Sequence, residues 1–297
     1  MSLERCPLCG STDFSLLYPS TLDKKREPAS QYNCTSHGLG IHPDIFECRQ
    51  CSMVFNEAAP GAEDVTGEYE RVEDPEYLAQ RESRRLTFHR ELDAIEAAQD
   101  KGELLDVGCY TGFFLECARE RGWRVSGVEP SRWAAAYASD ELGFDVFNGP
   151  IERFTRERSF DVVTLWDVLE HLPNPVEVLN ILRKHVRDDG LLVFATHNLD
   201  HKVARVMGRH FPLFMEMHTV HFNNDTLAML LQQTGFRLER KHNQMRAVRL
   251  GYLLSRLRRF GDTPERIASS VARALSLQDK ILWTGLVGVE TYFARPI

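Results

Sequence analysis

Two pairs of closely spaced cysteines lie near the start of the chain. Cys6 and Cys9 form one CxxC pair, and Cys48 and Cys51 form the other. Each pair presents two thiolates from one tight turn, and two such turns complete a tetrahedral site of four sulfur ligands, which suits zinc. Because the protein fills all four positions, we predict a structural zinc whose binding energy folds a segment too small to fold alone.

The 38 residues between the two pairs are longer than the usual gap of a zinc ribbon. They contain Cys34 and His37, whose spacing makes them an alternative ligand pair. The chain has 7 cysteines, and no apolar signal region precedes them. An odd number of cysteines without an export signal argues against disulfides and predicts reduced thiols in a cytoplasmic protein.

A second chemical feature is the segment LLDVGCYTGFFL at Leu104–Leu115, where an apolar run leads into a glycine-containing turn and then a helix. Gly108 and Gly112 allow the backbone to approach a ligand where a β-carbon would collide. The free N–H groups of the following helix suit a phosphate or a carboxylate. The segment lacks the GxxxxGK[ST] pattern of a nucleoside triphosphate site and the full GxGxxG pattern of a dinucleotide site.

Two acids narrow the choice of ligand. Asp106 ends the apolar run and can hold a cationic amino group. Glu129 ends the next run, in VSGVEPS, and can accept both hydroxyls of a ribose. S-adenosylmethionine, a nucleoside joined to an amino acid, satisfies both. An oxidoreductase that binds NAD is an alternative, and so is a glycine turn that merely connects a strand to a helix.

Five segments together resemble the class I S-adenosylmethionine-dependent methyltransferases, in the family that contains the ubiquinone-biosynthesis O-methyltransferases. They are LLDVGCYTG, VSGVEPS, FNGPIERF, FDVVTLWDVLEHLPNP and DDGLLVFATHN, in the order and spacing of that family. The resemblance implies that the cofactor is S-adenosylmethionine and that it contacts Asp106, Gly108, Cys109, Tyr110, Gly112, Glu129, Pro130, Ile151, Trp166 and Asp167. Tyr110 departs from the glycine usual at its position, and Pro150 departs from an acid that reads adenine in many members.

The implied reaction moves a methyl group to a small-molecule or carbohydrate-like acceptor, with O-methylation favoured over N- or C-methylation. With the cysteine pairs, the chain also resembles bacterial methyltransferases that carry an N-terminal zinc-binding domain, several of which modify sugars or natural products. A non-catalytic scaffold of the same fold, whose zinc ribbon binds nucleic acid or protein, is the alternative from another functional class.

Methyl transfer to a hydroxyl needs a base or a metal ion that helps to remove the proton. Asp167, Glu170 and His171 follow a DxxEH spacing, and some relatives carry ExxEH here with a later histidine and bind a divalent ion. A divalent ion at these three residues, with His218 or His221, is therefore one hypothesis. Local capping of a helix by Glu170 and His171 is the alternative. The candidates for the base are His171, His218, His221 and His197.

Strand and helix patterns alternate after Lys101, which is typical of a parallel sheet with helices on both faces. We predict an α/β fold with a Rossmann-like, mainly parallel seven-stranded sheet, a small N-terminal zinc-ribbon-like module and a helical insertion before the last strand. The expected strands are 103–107, 124–129, 145–148, 160–166, 190–196, 236–242 and 286–294, and the expected helices include 76–99, 112–121, 131–142 and 225–234. The predicted domains are 1–60 for the zinc module, 61–100 for a linker and helix, and 101–297 for the methyltransferase domain, with the insertion at about 247–281.

Charge limits the partners. The 297 residues carry a net charge of −7, so non-specific binding of nucleic acid is disfavoured. The sequence contains no run of 18 apolar residues, so it predicts no membrane-spanning helix. Residues 246–260 interleave arginines with leucines, which fits a lid or homodimer helix, an anionic substrate or a membrane surface.

Overall fold

The computed structural model describes residues 4–22, 35, 38–56, 69–156, 159–257, 261–285 and 288–297. The alternative ligand pair Cys34 and His37 lies outside the described residues. The strands are β1 (Phe14–Tyr18), β2 (Ile45–Cys48), β3 (Val54–Asn56), β4 (Glu103–Val107), β5 (Arg124–Glu129), β6 (Val146–Asn148), β7 (Phe160–Trp166), β8 (Val186–His197), β9 (Val220–His221), β10 (Phe236–Asn243), β11 (Arg246–Arg249), β12 (Ile281–Thr284) and β13 (Val289–Pro296).

The α-helices are α1 (Pro75–Ala79), α2 (Arg81–Glu96), α3 (Phe113–Glu120), α4 (Arg132–Ala136), α5 (Pro175–His185), α6 (Lys202–Met207), α7 (Asn224–Gln233), α8 (Leu250–Ser255) and α9 (Asp262–Ala274). The expected helix over 76–99 is interrupted at Gln80, which ends α1 and precedes α2. The expected helix over 131–142 continues from α4 as a π-helical turn, Tyr137–Glu141.

Seven strands form the central sheet in the order β10-β13-β8-β7-β4-β5-β6. The neighbours from β8 through β6 run parallel, whereas β13 lies antiparallel between β8 and β10. The parallel strands are mostly buried, as apolar runs covered on both faces should be. The prediction of a mainly parallel, seven-stranded Rossmann-like sheet is confirmed.

Helix α7 begins as the sequence predicts. Asn223 accepts a hydrogen bond from the Thr226 amide, and Thr226 accepts one from the Asn223 amide. Gly235 follows the helix with φ 77°, a left-handed conformation that costs glycine little. The capping box, two residues after β9 ends, fixes the beginning of α7 next to the candidate site.

The N-terminal region forms a second, four-stranded sheet in the order β1-β2-β3-β9. Its last strand comes from residues 220–221, where Val54 faces His221 and Phe55 faces Val220. Leu8, Met53 and Phe55 lie in the same buried cluster as residues of β8 and α7. Sheet and core therefore both continue across the predicted module boundary at residue 60.

The insertion before the last strand contains the two expected helices, α8 and α9. A two-stranded ribbon, β11 with β12, flanks them and had not been expected. Strand β13 begins at Val289, and residues 286–287 of the expected strand lie outside the described residues.

Candidate active site

The turn after β4 is shaped by glycines that no other residue can replace without movement. Gly108 has φ 72°, and a β-carbon there would lie 2.5 Å from Cγ2 of Val168. Gly112 has φ 79° and caps α3, whose first amides face the turn. Tyr110 adopts φ 48°, so the residue that departs from the usual glycine keeps the left-handed backbone.

Glu129 lies at the end of β5 and is held from both sides. Its Oε2 accepts from the Tyr110 amide at 2.7 Å, and its Oε1 accepts from the Ser131 amide at 2.8 Å. Burial raises the pKa of Glu129 to about 7, and the two amide donors oppose this rise. The cofactor turn and the acidic strand end are therefore locked together by the backbone.

Asp106 lies at the neighbouring strand end and is 1% exposed. Thr164 donates its hydroxyl to Oδ1 of Asp106 at 2.6 Å. Burial raises the pKa of Asp106 to about 8, and the charge of Glu129 adds to the effect. Within the described part of the chain, no lysine or arginine forms an ion pair with Asp106 or Glu129. These buried acids therefore leave a cationic ligand to supply the compensating charge.

The histidine side of the site is built on the short turn after β7. Glu170 is 3% exposed, and burial followed by the charge of Asp167 raises its pKa to about 8. Burial lowers the pKa of His171 to about 4. His171 places Nδ1 2.7 Å from the Tyr69 hydroxyl and 3.0 Å from the Met217 carbonyl. A carbonyl only accepts, so Nδ1 carries the proton and Nε2 is a bare acceptor.

His218 repeats this arrangement from the loop before β9. Its Nδ1 lies 2.7 Å from the Leu213 carbonyl, so its Nε2 is also bare. One ligand atom each of Glu170, His171 and His218 lies within 4.8 Å of the other two. Asp167 instead pairs with Arg246 at 2.5 Å. Glu170, His171 and His218 therefore converge, whereas Asp167 turns to Arg246 of the ribbon strand β11, so the prediction of Asp167 as a ligand of the same ion is wrong.

The four knuckle cysteines also converge. Sγ of Cys6 lies 3.6 Å from that of Cys51, and Sγ of Cys9 lies 3.6 Å from that of Cys48. Thiolates at the corners of a tetrahedral zinc site lie about 3.8 Å apart, so the cluster fits the ion. Burial raises the pKa of the Cys6 and Cys51 thiols, and a bound metal would favour their thiolate forms.

Known proteins share the sequence pattern that builds this site. The family model described as "Methyltransferase domain" matches residues 77–241, more than half of the 297. The chain belongs to this methyltransferase family. The matched range contains the glycine turn, both acidic strand ends and the DxxEH segment.

Individual relatives of the methyltransferase domain match over shorter stretches. The chain is 32% identical over 107 residues to the ubiquinone biosynthesis O-methyltransferase of Actinobacillus pleuropneumoniae serotype 5b, covering 32% of this chain and 46% of that protein. It is 26% identical over 125 residues to the protein of the same name from Hydrogenovibrio crunogenus, covering 40% and 50%. The chain spans about half the length of these curated relatives.

One solved structure shares the fold of the methyltransferase domain. It is a chain of the complex between the Haloferax volcanii Trm112 methyltransferase activator and a methyltransferase. The TM-score is 0.51 at 13% identity, with 73% of this chain and 91% of that chain covered. At this identity the likeness supports the fold alone.

The remaining predicted cofactor residues of the methyltransferase domain take different positions. Cys109 points into the core, where its Sγ lies 2.5 Å from the place that a β-carbon of Gly127 would take. Trp166 packs its ring 5.0 Å from that of Phe114. Ile151 is buried in the short helix that follows Pro150, and Pro130 separates Glu129 from Ser131.

A strap that the sequence did not predict, residues 69–74, packs in one apolar cluster with Tyr110 of the cofactor turn. Tyr69 reaches His171 at one end, and the Val72 carbonyl accepts from the Ser131 hydroxyl at 3.0 Å, next to Glu129. The acidic composition of this stretch indicated a linker, and its tyrosine and valine gave no periodic signal. Sequence reasoning also missed Asn56 and Arg246, whose partners are distant in sequence.

His221 and His197 form a hydrogen-bonded pair that packs against the converging group, where the His197 ring stacks on that of His218 at 5.2 Å. Nε2 of His197 lies 2.8 Å from Nδ1 of His221, and both residues are fully buried. Both ring nitrogens of His221 are therefore occupied, one by His197 and the other by Asn56. The role of His221 as a base stays a prediction from the sequence.

Proposed function

We propose that the protein transfers the methyl group of S-adenosylmethionine to a hydroxyl of a small-molecule acceptor. The observation that carries the proposal is the pair of buried acids at adjacent strand ends, Asp106 and Glu129, on either side of a left-handed glycine turn. Asp106 suits the amino group of the methionine part, and Glu129 suits the ribose hydroxyls. The membership in the methyltransferase family supports the same cofactor.

The turn does its work through the backbone. Gly108 and Gly112 leave room for the ligand, while the amides at the start of α3 face an anionic carboxylate. The Cys109 side chain is buried, so Cys109 would offer the ligand main-chain atoms only, whereas the Tyr110 amide binds and orients Glu129. Ile151 would contact the adenine at the far end of the cleft.

His171 and His218 are the proposed acceptors of the hydroxyl proton. Each keeps Nδ1 bonded to a backbone carbonyl and therefore offers Nε2 as a lone pair. Burial lowers the pKa of both rings, so both are neutral at physiological pH and the lone pair on each Nε2 carries no proton. Positioning the hydroxyl beside the sulfonium methyl is the remaining task of the site.

A divalent ion held by Glu170, His171 and His218 is the alternative proposal for the same place, because a ring nitrogen that binds the ion cannot accept the proton. Glu170 Oε2 is buried and makes no hydrogen bond to any residue that the structure describes. Both histidines donate their other ring nitrogen to a carbonyl, as metal-binding histidines do. Such an ion lowers the pKa of a bound hydroxyl. In the cysteine cluster, we propose one structural zinc.

Calorimetric titration with S-adenosylhomocysteine tests the function. We expect binding by the wild type and a loss of at least about tenfold in Glu129→Ala, which removes two ribose contacts. NAD serves as the competitor. Binding of NAD in place of S-adenosylhomocysteine, or wild-type affinity in Glu129→Ala, would overturn the assignment.

A carbohydrate-like or anionic acceptor, a homodimer, contact of residues 246–260 with a membrane surface and a cytoplasmic location remain predictions. Within the described ranges, none of the helices has the length and apolar character needed to cross a membrane.

A further inference from the structure

The side chain of Asn56 has a fixed orientation at the end of β3. Its Nδ2 donates to the carbonyls of Met215 and His218. Carbonyl oxygens accept only, so both amide hydrogens are committed and Oδ1 must face the other way. Asn56 is 3% exposed, and water does not compete for these bonds.

His221 meets this oxygen. Its Nε2 lies 2.9 Å from Oδ1 of Asn56. Because Oδ1 cannot donate, Nε2 of His221 must carry the proton. His221 is fully buried, and burial lowers its pKa well below the usual value, so the ring is neutral. A neutral ring with its proton on Nε2 has a bare Nδ1.

His197 completes the chain at the end of β8. Its Nε2 lies 2.8 Å from Nδ1 of His221 and must therefore donate to it. Its Nδ1 is buried without a hydrogen-bond partner among the described residues and lies 4.0 Å from Oε1 of Glu170. The neutral ring then turns a lone pair toward Glu170.

We infer that Asn56 is a positioning residue for the reaction centre. Acting through His221, it holds His197 with its proton on Nε2, so that the bare Nδ1 faces Glu170. Asn56 belongs to the sheet that the cysteine cluster anchors, whereas Glu170 belongs to the methyltransferase domain. The N-terminal sheet thus determines whether the wall beside Glu170 accepts or donates a hydrogen bond. The relevance to catalysis rests on the proposed function, but the proton positions do not.

Nitrogen NMR of protein labelled at histidine tests the inference directly, because a protonated ring nitrogen and a bare one have different shifts. We expect protons on Nε2 of His197 and His221, and on Nδ1 of His171 and His218. His197→Gln and His221→Gln assign the signals. A wild-type spectrum with a proton on Nδ1 of His197 overturns the inference without the need for any variant.

Asn56→Leu removes the acceptor at nearly constant volume. We expect His221 and His197 to lose the single proton arrangement and to show both ring forms, while S-adenosylhomocysteine affinity stays within about threefold. The matched control is Gln233→Leu. It removes another side-chain hydrogen bond between the two parts of the chain, the one that the Gln233 amide donates to the Leu8 carbonyl, and it touches no histidine.

Unchanged histidine shifts in Asn56→Leu, or equal changes in Gln233→Leu, contradict the inference. If the wild type does not bind S-adenosylhomocysteine, the proposed function is overturned, but the inferred proton positions are unaffected. If Asn56→Leu does not fold, the wild-type spectrum alone decides.

Discussion

At the scale of single residues, the buried carboxyl groups of Asp106 and Glu129 are the strongest indication of a bound ligand. Their pKa values are raised to about 8 and about 7 because both are buried. In the unfolded chain they titrate near 3.8 and 4.5. Between these limits the unfolded state loses protons that the folded state keeps, so the two acids lower the stability of the ligand-free protein as pH rises toward 8.

A cationic cofactor reverses this preference, because it favours the ionised acids. We therefore expect S-adenosylmethionine to bind more tightly as pH rises from about 6 to about 8 and to release protons at pH 7. Calorimetry in buffers of different ionisation enthalpy measures the released protons. Asp106→Asn should bind weakly and release fewer of them. An affinity that falls over this pH range would contradict the assignment of the two acids.

Gly108 carries a second prediction at this scale. Ala at position 108 combines a left-handed backbone with a β-carbon 2.5 Å from Val168, which precedes Glu170 and His171. We expect Gly108→Ala to lower the free energy of unfolding by about 2 kcal/mol and to abolish measurable cofactor binding. Chemical denaturation and calorimetry check the two effects.

Gly143→Ala is the matched control. Its φ of 67° is equally left-handed, but nothing lies within 4 Å of the added carbon. It should cost about 1 kcal/mol of stability and leave the cofactor affinity unchanged. Equal affinities in the two variants would mean that the turn does not hold the ligand.

At the scale of elements, the strands of the parallel sheet could be predicted closely from the sequence. Expected bounds for β4, β5 and β7 agree with the structure, because runs buried on both faces give an uninterrupted apolar signal. Strands β1 to β3 are only three to five residues long, too short for a clear apolar alternation in the sequence. The ribbon strands β11 and β12 are likewise short, with four residues each, and mostly half-buried.

The candidate site divides along the same line. The glycine turn and its acids are local patterns, so their residues were found from the sequence. Asn56, Tyr69 and Arg246 act through partners about 80 to 165 positions away, which only the fold brings together. His218 and His221 were found as histidines, but their different roles depend on which carbonyl or amide each ring meets.

The strap gives a prediction at this scale. Tyr69 fixes its end by the hydrogen bond to His171, and removing the hydroxyl leaves the ring in place. We expect Tyr69→Phe to raise the dissociation rate of S-adenosylhomocysteine several-fold, with a change in unfolding free energy of about 1 kcal/mol or less. Stopped-flow displacement measures the rate. An unchanged rate would show that the strap does not control access.

At the scale of the whole molecule, the cysteine cluster and the cofactor turn are supported by different elements. The cysteines hold β1 to β3 of the four-stranded sheet, in which β3 pairs with β9, while the turn lies between β4 and β5 of the central sheet. The two parts nevertheless share one buried cluster that includes Cys6, Cys48 and Phe194. Loss of zinc should therefore reach the histidine side through β3 and β9 before it reaches the cofactor acids.

Cys48→Ser tests this order of events. We expect about one zinc per chain in the wild type and none in the variant, with a lower melting temperature because the metal no longer stabilises the N-terminal sheet. S-adenosylhomocysteine affinity should stay within about threefold, since Asp106 and Glu129 keep their strands. The histidine shifts of His197 and His221 should change, because Asn56 loses its support. The control is Arg49→Ala, which removes only an exposed ion pair between Asp13 and a residue next to Cys48. This variant should retain the zinc and show the same histidine shifts as the wild type. Zinc retained by Cys48→Ser, or cofactor binding lost together with the metal, would contradict this division of labour.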